Sequence, residues 1–334
     1  MHQSMANQSD ISGFILLGFP GLPAKFNTPV SIALFLVYLV ALFANGTVII
    51  LIIFSRRLHQ PMYVIIASLA VSDLLFDTIT LPKIIAKYWF GDATISFSGC
   101  IFQVFCVHCM GSFDSYIIML MAIDRYVAIS KPLRYNSIIT NRRIVIVCAF
   151  FWFLTGIISL SIALLDAGIP FCGRNQIRNC FCTNMAVTSL ACINVTFVKR
   201  LAFGLAMFVL LIPLGFIIFS YGVIIKVIRS TSRSDSWRKP FYTCITHLVV
   251  IGLYFIPRIF IYVANQVKLI LNEDLNVLIL CLYTFVPHMA NPIIYCLRTK
   301  EIKKTLLNFF QKKLALRMEQ HPAVYLIMNK YRCT

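Results

Sequence analysis

The sequence predicts an all-α membrane protein, a bundle of seven transmembrane helices. Three observations carry this expectation. The 334 residues are 59% hydrophobic and 13% charged, with a mean hydropathy of +0.83; soluble domains carry about 25% charged residues. The apolar residues fall into runs long enough to cross hydrocarbon, which takes about 20 helical residues. The lysines and arginines behind the +18 net charge lie between those runs and in the tail, so the excess does not read as a nucleic-acid surface.

Residues 1–27 read as an outer tail, with a glycosylation sequon at Asn7-Gln8-Ser9. The polar start lacks a cleavable signal pattern, so the first apolar run is expected to act as the insertion signal. Phe14 to Phe19 is too short to span and is expected to pack on the bundle mouth. The seven-span domain covers 28–297. Span 1 is read over 28–54 and span 2 over 62–86, with Pro82 bending or ending its outer part. Span 3 runs from Cys100 to Ser130, and span 4 covers 144–165. A long second outer loop fills 166–196. Span 5 is read over 197–225, span 6 over 240–264 and span 7 over 275–297. Residues 298–317 form an amphipathic helix, with leucines and phenylalanines toward lipid and lysines toward headgroups. Residues 318–334 are an inner tail.

Orientation follows from the basic residues. The connections after spans 1, 3 and 5 and the tail are strongly basic. This bias places the N-terminus outside and the C-terminus inside a plasma membrane. Polar groups inside the spans are costly unless they have partners or a function, and Asn45, Asp73 and Asp114 stand out. Asp124-Arg125-Tyr126 sits at the inner end of span 3. Twelve cysteines are present. Of these, Cys100, Cys172, Cys180, Cys182 and Cys192 lie in or beside outer loops and are disulfide candidates if those loops face an oxidising space. No metal-ligand spacing, nucleophile elbow or phosphate loop is apparent, which argues against an enzyme.

These residues carry a resemblance. Asn45-Gly46, Asp73, Asp124-Arg125-Tyr126 and Asn291-Pro292-Ile293-Ile294-Tyr295 resemble the general marks of rhodopsin-like, class A G-protein-coupled receptors. Leu58-His59-Gln60-Pro61-Met62-Tyr63, Met121 to Ile129 followed by Pro132-Leu133-Arg134-Tyr135, Ser220-Tyr221, and Lys239 through Leu248 resemble the vertebrate olfactory receptors. The loop cysteines and Cys182-Thr183-Asn184-Met185 are similar to the fish-like, class I branch. Two departures are Pro240, where the family usually has alanine, and His288, which replaces a common second proline.

The resemblance implies an odorant receptor for small, fairly water-soluble molecules. It further implies coupling to a stimulatory, olfactory-type heterotrimeric G protein that raises cAMP, and residence in olfactory sensory neuron cilia. Membrane lipid and an accessory trafficking protein are expected partners. It implies a Cys100–Cys182 bridge, with Cys172–Cys192 as the second; Cys180 is then left over, free or exchanging with Cys182. The ligand pocket is expected among the outer halves of spans 3, 5, 6 and 7. Its candidates are Val104, His108, Gly111, Ser112, Phe255, Arg258 and Tyr262. His108 reads equally as a ligand contact or a hydrogen-bonded core histidine. Arg258 either meets an anionic ligand, pairs with Glu273 or Asp274, or snorkels outward.

No cofactor is expected beyond a sodium ion or a proton shared by Asp73 and Asp114, with Asn45 and Asn291 completing the shell. Asp124 is expected to hold Arg125 in the resting state. Tyr126, Tyr221, His247, Asn291, Pro292 and Tyr295 are the partners of the switch. Two rival readings remain: a non-olfactory chemosensory receptor for a small metabolite, and a transporter or channel. The lack of internal repeats argues against the last.

Overall fold

A computed structural model describes residues 12–231, 238–267, 269, 272–298 and 301–308. Seven long apolar helices form the bundle. Span 1 is Asn27–Phe54, span 2 Pro61–Phe90, span 3 Phe97–Ser130 and span 4 Asn141–Ala167. Span 5 is Thr196–Thr231, span 6 Arg238–Gln266 and span 7 Glu273–Arg298. A short helix over 301–308 follows span 7. Its Ile302 is fully buried against the bundle.

Local signals set the helix ends. Pro61 occupies the first turn of span 2, where its missing N–H costs nothing. That helix continues past Pro82, further than the sequence suggested, and stops at Gly91 in the left-handed conformation (φ 74°), which glycine adopts without penalty. The Ser96 side chain accepts from the Gly99 N–H at 3.1 Å. This cap starts span 3 at Phe97 rather than at Cys100. Thr140 caps span 4 in the same way.

Span 3 is the central rod. In its most apolar stretch 78% of residues are buried, against 22% in span 4, so span 3 has protein on all sides while span 4 shows one face to lipid. Tyr116 stacks on Phe151, and Phe113 on Trp152, across spans 3 and 4. Such ring pairs add ~0.5–1.5 kcal/mol beyond area burial.

The mouth carries a small sheet. Strand β1 (Gly13–Leu16) pairs antiparallel with β2 (Thr94–Ser96), Gly13 facing Ser96. On its other edge it pairs parallel with β3 (Gln176–Ile177), Ile15 facing Gln176. The apolar piece near the N-terminus thus packs on the mouth, as a strand. Its alternation buries Phe14 and Leu16. Phe14 packs against Phe97 and Phe171.

Two disulfides hold this cap. Cys100–Cys182 ties the long loop to the top of span 3, and Cys172–Cys192 closes the loop on itself. Both pairings are those the resemblance implied. Cys180 is a free thiol, buried 3.7 Å from the Cys281 sulfur on span 7.

Candidate functional site

Beneath the cap lies a cavity of about 930 Å³, within the range that holds small ligands. Of the sequence candidates, His108, Gly111, Ser112, Arg258 and Tyr262 line it. Val104 and Phe255 do not, and both expectations are corrected. Val104 turns outward from the cavity into the apolar cluster formed with Phe14 and Cys182. Phe255 is buried in the central core, its ring 4.9 Å from that of Tyr254. Helical period places residues at a level but leaves open which face meets the void.

Arg258 is the dominant polar group of the floor. It is only 8% exposed. Neither expected acid pairs with it: Glu273 meets Arg178, and Asp274 accepts from the Gly21 backbone. Snorkelling is also overturned, because the guanidinium turns inward. Nη1 donates to the Gly111 carbonyl at 3.1 Å and to the Tyr254 hydroxyl. The guanidinium lies 4.2 Å from the Tyr254 ring centre and 5.3 Å from that of Tyr283, a cation–π cradle. Its Nε–H has no hydrogen-bond partner, and no ion pair to it occurs among the described residues. Gly111 makes room for this: a Cβ there would stand 3.0 Å from Nη1.

His108 is half-buried in the cavity wall. Its Nε2 lies 3.4 Å from the Asn184 backbone N–H, which donates to it. Asn184 is fixed in turn by Asp166, at 2.7 Å. Gln103, also on span 3, accepts from the Cys182 N–H at 2.7 Å and donates to the Ile79 carbonyl. Gln103 thereby clamps the loop onto the rod.

Below the floor lies a buried polar cluster. Asp73, Asp77, Asp114 and His288 are each no more than 1% exposed. His288 Nδ1 is 2.7 Å from Asp77, and Nε2 is 3.5 Å from Asp73 and 3.9 Å from Asp114. The expected Asp73–Asp114 site therefore contains an imidazole. Asn291 donates to Asp73 at 3.3 Å. The Asn45 amide instead donates to the carbonyls of Ala41 and His288. His288 was noted from the sequence only as a replaced proline.

At the inner end, Asp124 accepts a 2.7 Å hydrogen bond from the Tyr135 hydroxyl. No ion pair joins Asp124 to Arg125, which corrects the expected clasp. Arg125 instead donates to the Met62 sulfur. Tyr135 lies outside the spans, and burial together with this bond to Asp124 raises its phenol above the ordinary range. Tyr126 is half-buried beside the core, and Tyr221, Pro292 and Tyr295 are buried. The Tyr295 hydroxyl donates to the Met121 sulfur. Asn7 and the His247 side chain lie outside the described residues.

A capped cavity over a polar core, in a bundle of seven spans, is the architecture of a membrane receptor. Residues 34–313 match the family model described as olfactory receptor. The chain is 34% identical to olfactory receptor 56B34 of Mus musculus, covering 91% of this chain and 94% of the relative. It is 33% identical to olfactory receptor 52K1 of Homo sapiens over 90% and 95%, and 35% identical to olfactory receptor 56B2 of Homo sapiens over 92% and 96%. The chain belongs to the olfactory receptor family of class A G-protein-coupled receptors. It is a multi-pass membrane protein that senses odorants, not an enzyme.

Proposed function

We propose that the odorants of this receptor are small organic acids, bound as carboxylates at Arg258. The observation that carries this is a buried guanidinium at the cavity floor with an unused Nε–H and no acidic partner among the described residues. A buried cation with no acid in ion-pair contact is costly, Asp114 acting on it only from a distance, and a carboxylate ligand relieves that cost with a charge-assisted hydrogen bond. His108 and Ser112, on the adjoining wall, are polar anchors for a second group on the ligand. Arg174 and Lys199 also line the cavity, and a basic mouth favours entry of anions. Water-soluble odorants fit this chemistry.

The output is a stimulatory, olfactory-type G protein that raises cAMP, reached through Arg125 at the inner end. The N-terminus lies outside, and the working location is the ciliary membrane of olfactory neurons, reached with an accessory trafficking protein. The carboxylates of Asp73 and Asp114 hold a cation in the resting bundle; sodium is the ion the family resemblance implies. Ligand and G protein are coupled if each favours the same state.

The test is expression with an olfactory-type stimulatory G protein, recording cAMP against small acids, alcohols, aldehydes and amines. Acids are expected to give the strongest responses. A receptor that reaches the surface and answers only alcohols or amines contradicts the reading.

A further inference from the structure

We infer that the cluster beneath the cavity is a binding site for a borderline transition-metal dication of the zinc class. Its ligands are His288 Nε2 and the carboxylates of Asp73 and Asp114. The inference rests on the reading that this cluster holds a cation, and it names the kind.

Three donor atoms from spans 2, 3 and 7 converge within 4.8 Å of one another. Nε2 stands 3.5 Å from Asp73 Oδ1 and 3.9 Å from Asp114 Oδ2, long for hydrogen bonds. They approach the edge of a tetrahedral zinc site, where ligands at ~2.0–2.1 Å from the metal lie ~3.3 Å apart. All three atoms are buried, and none makes a hydrogen bond of good geometry; the Ser72 hydroxyl lies beside Asp114, and only the long contacts among the three connect them. Burying orphaned donors on three separate helices costs free energy. A shared metal ion satisfies all of them at once.

The far side of the imidazole supplies a second argument. Nδ1 lies 2.7 Å from Asp77 Oδ1. A proton on Nδ1, donated to Asp77, leaves the Nε2 lone pair facing Asp73 and Asp114. This carboxylate–histidine–metal relay is how proteins orient a metal-bound imidazole. The nitrogen donor also sorts the ion. Sodium, calcium and magnesium take oxygen ligands, whereas imidazole suits zinc and its neighbours. The orphaned carboxamide oxygens of Asn45 and Asn291, or water, are available for a further position.

The site lies just beneath the odorant cavity. The cavity lining includes Gly111 and Thr284, which precede Asp114 and His288 by about one helical turn. Phe76 also lines it, and its ring lies 5.1 Å from that of His288. An ion held by spans 2, 3 and 7 stiffens the resting bundle, so it is expected to lower basal signalling.

The test uses the full chain in detergent, with zinc binding measured by equilibrium dialysis in buffers with and without sodium. A single zinc ion per chain is expected, insensitive to sodium. His288→Ala should lose it, and Asp77→Asn should weaken it about 10- to 100-fold, the usual effect of removing such a partner. The exposed-loop variant His59→Ala should bind zinc normally. If His288→Ala does not fold, Asp77→Asn and a zinc-dependent rise in the wild-type Tm serve in its place. Unchanged zinc binding in the folded His288→Ala, or no zinc bound by the wild type, overturns the inference. Sodium binding without zinc leaves the cation reading standing and sinks this one; binding of neither ion sinks both.

Discussion

Arg258 on span 6 donates to the backbone carbonyl of Gly111 on span 3, 3.1 Å away. The contact joins the central rod to the helix that carries Pro257 in its interior. It also places a positive charge where the cavity ends. Ligand contact with Arg258 therefore bears directly on the junction of spans 3 and 6.

Gly111→Ala tests that junction. The added Cβ would stand 3.0 Å from Nη1, so the guanidinium must shift. Overpacking of this kind costs ~1–3 kcal/mol. Potency for acids should fall about 10-fold while surface expression is retained; flow cytometry beside a cAMP assay checks both.

Tyr135→Phe removes the hydroxyl that satisfies Asp124. A buried acceptor left unpaired costs ~1–3 kcal/mol. The resting arrangement of the inner end should weaken, and basal cAMP should rise. Arg125→Ala should abolish signalling in either background.

The Cys180 thiol lies in the loop and is raised well above its ordinary range, first by its contact with Cys281 and then by burial. Thiolate is the reactive form, so Cys180 should resist maleimide in the folded receptor at neutral pH. Mass spectrometry should find it labelled only after unfolding. Rapid native labelling would show that the loop does not seat on span 7 as described.

Cys172→Ser with Cys192→Ser opens the second bridge, which closes a separation of 20 residues. A loop of this size typically contributes ~2–4 kcal/mol. The double variant should show a lower Tm and reduced surface delivery. Opening Cys100–Cys182, which anchors the loop to the rod, should be more damaging.

The seven spans were legible because hydrocarbon imposes one length and one composition on every crossing. Span ends were less so: the Ser96 cap and the left-handed Gly91 moved two of them by several residues. The sheet at the mouth was not legible, because strands of two to four residues form only when Gly13–Leu16, Thr94–Ser96 and Gln176–Ile177 meet in space. The pocket was read to the correct level and only partly to the correct face, which is why Val104 and Phe255 fall out. His288 was missed because its value depends on Asp73, Asp77 and Asp114 from two other helices. The available signal was a histidine in an apolar span, four residues before Pro292, where an unpartnered imidazole would be costly.

The central claim is that Arg258 reads a carboxylate. The most direct measurement compares EC50 values for a small acid and its methyl ester, on wild type and Arg258→Gln, at matched surface expression. Hydrogen bonds to charged groups contribute ~1.5–3 kcal/mol, or about 10- to 100-fold. The acid should be preferred over the ester by that factor on wild type, and the preference should vanish in Arg258→Gln. An acid preference that survives the substitution would contradict the account.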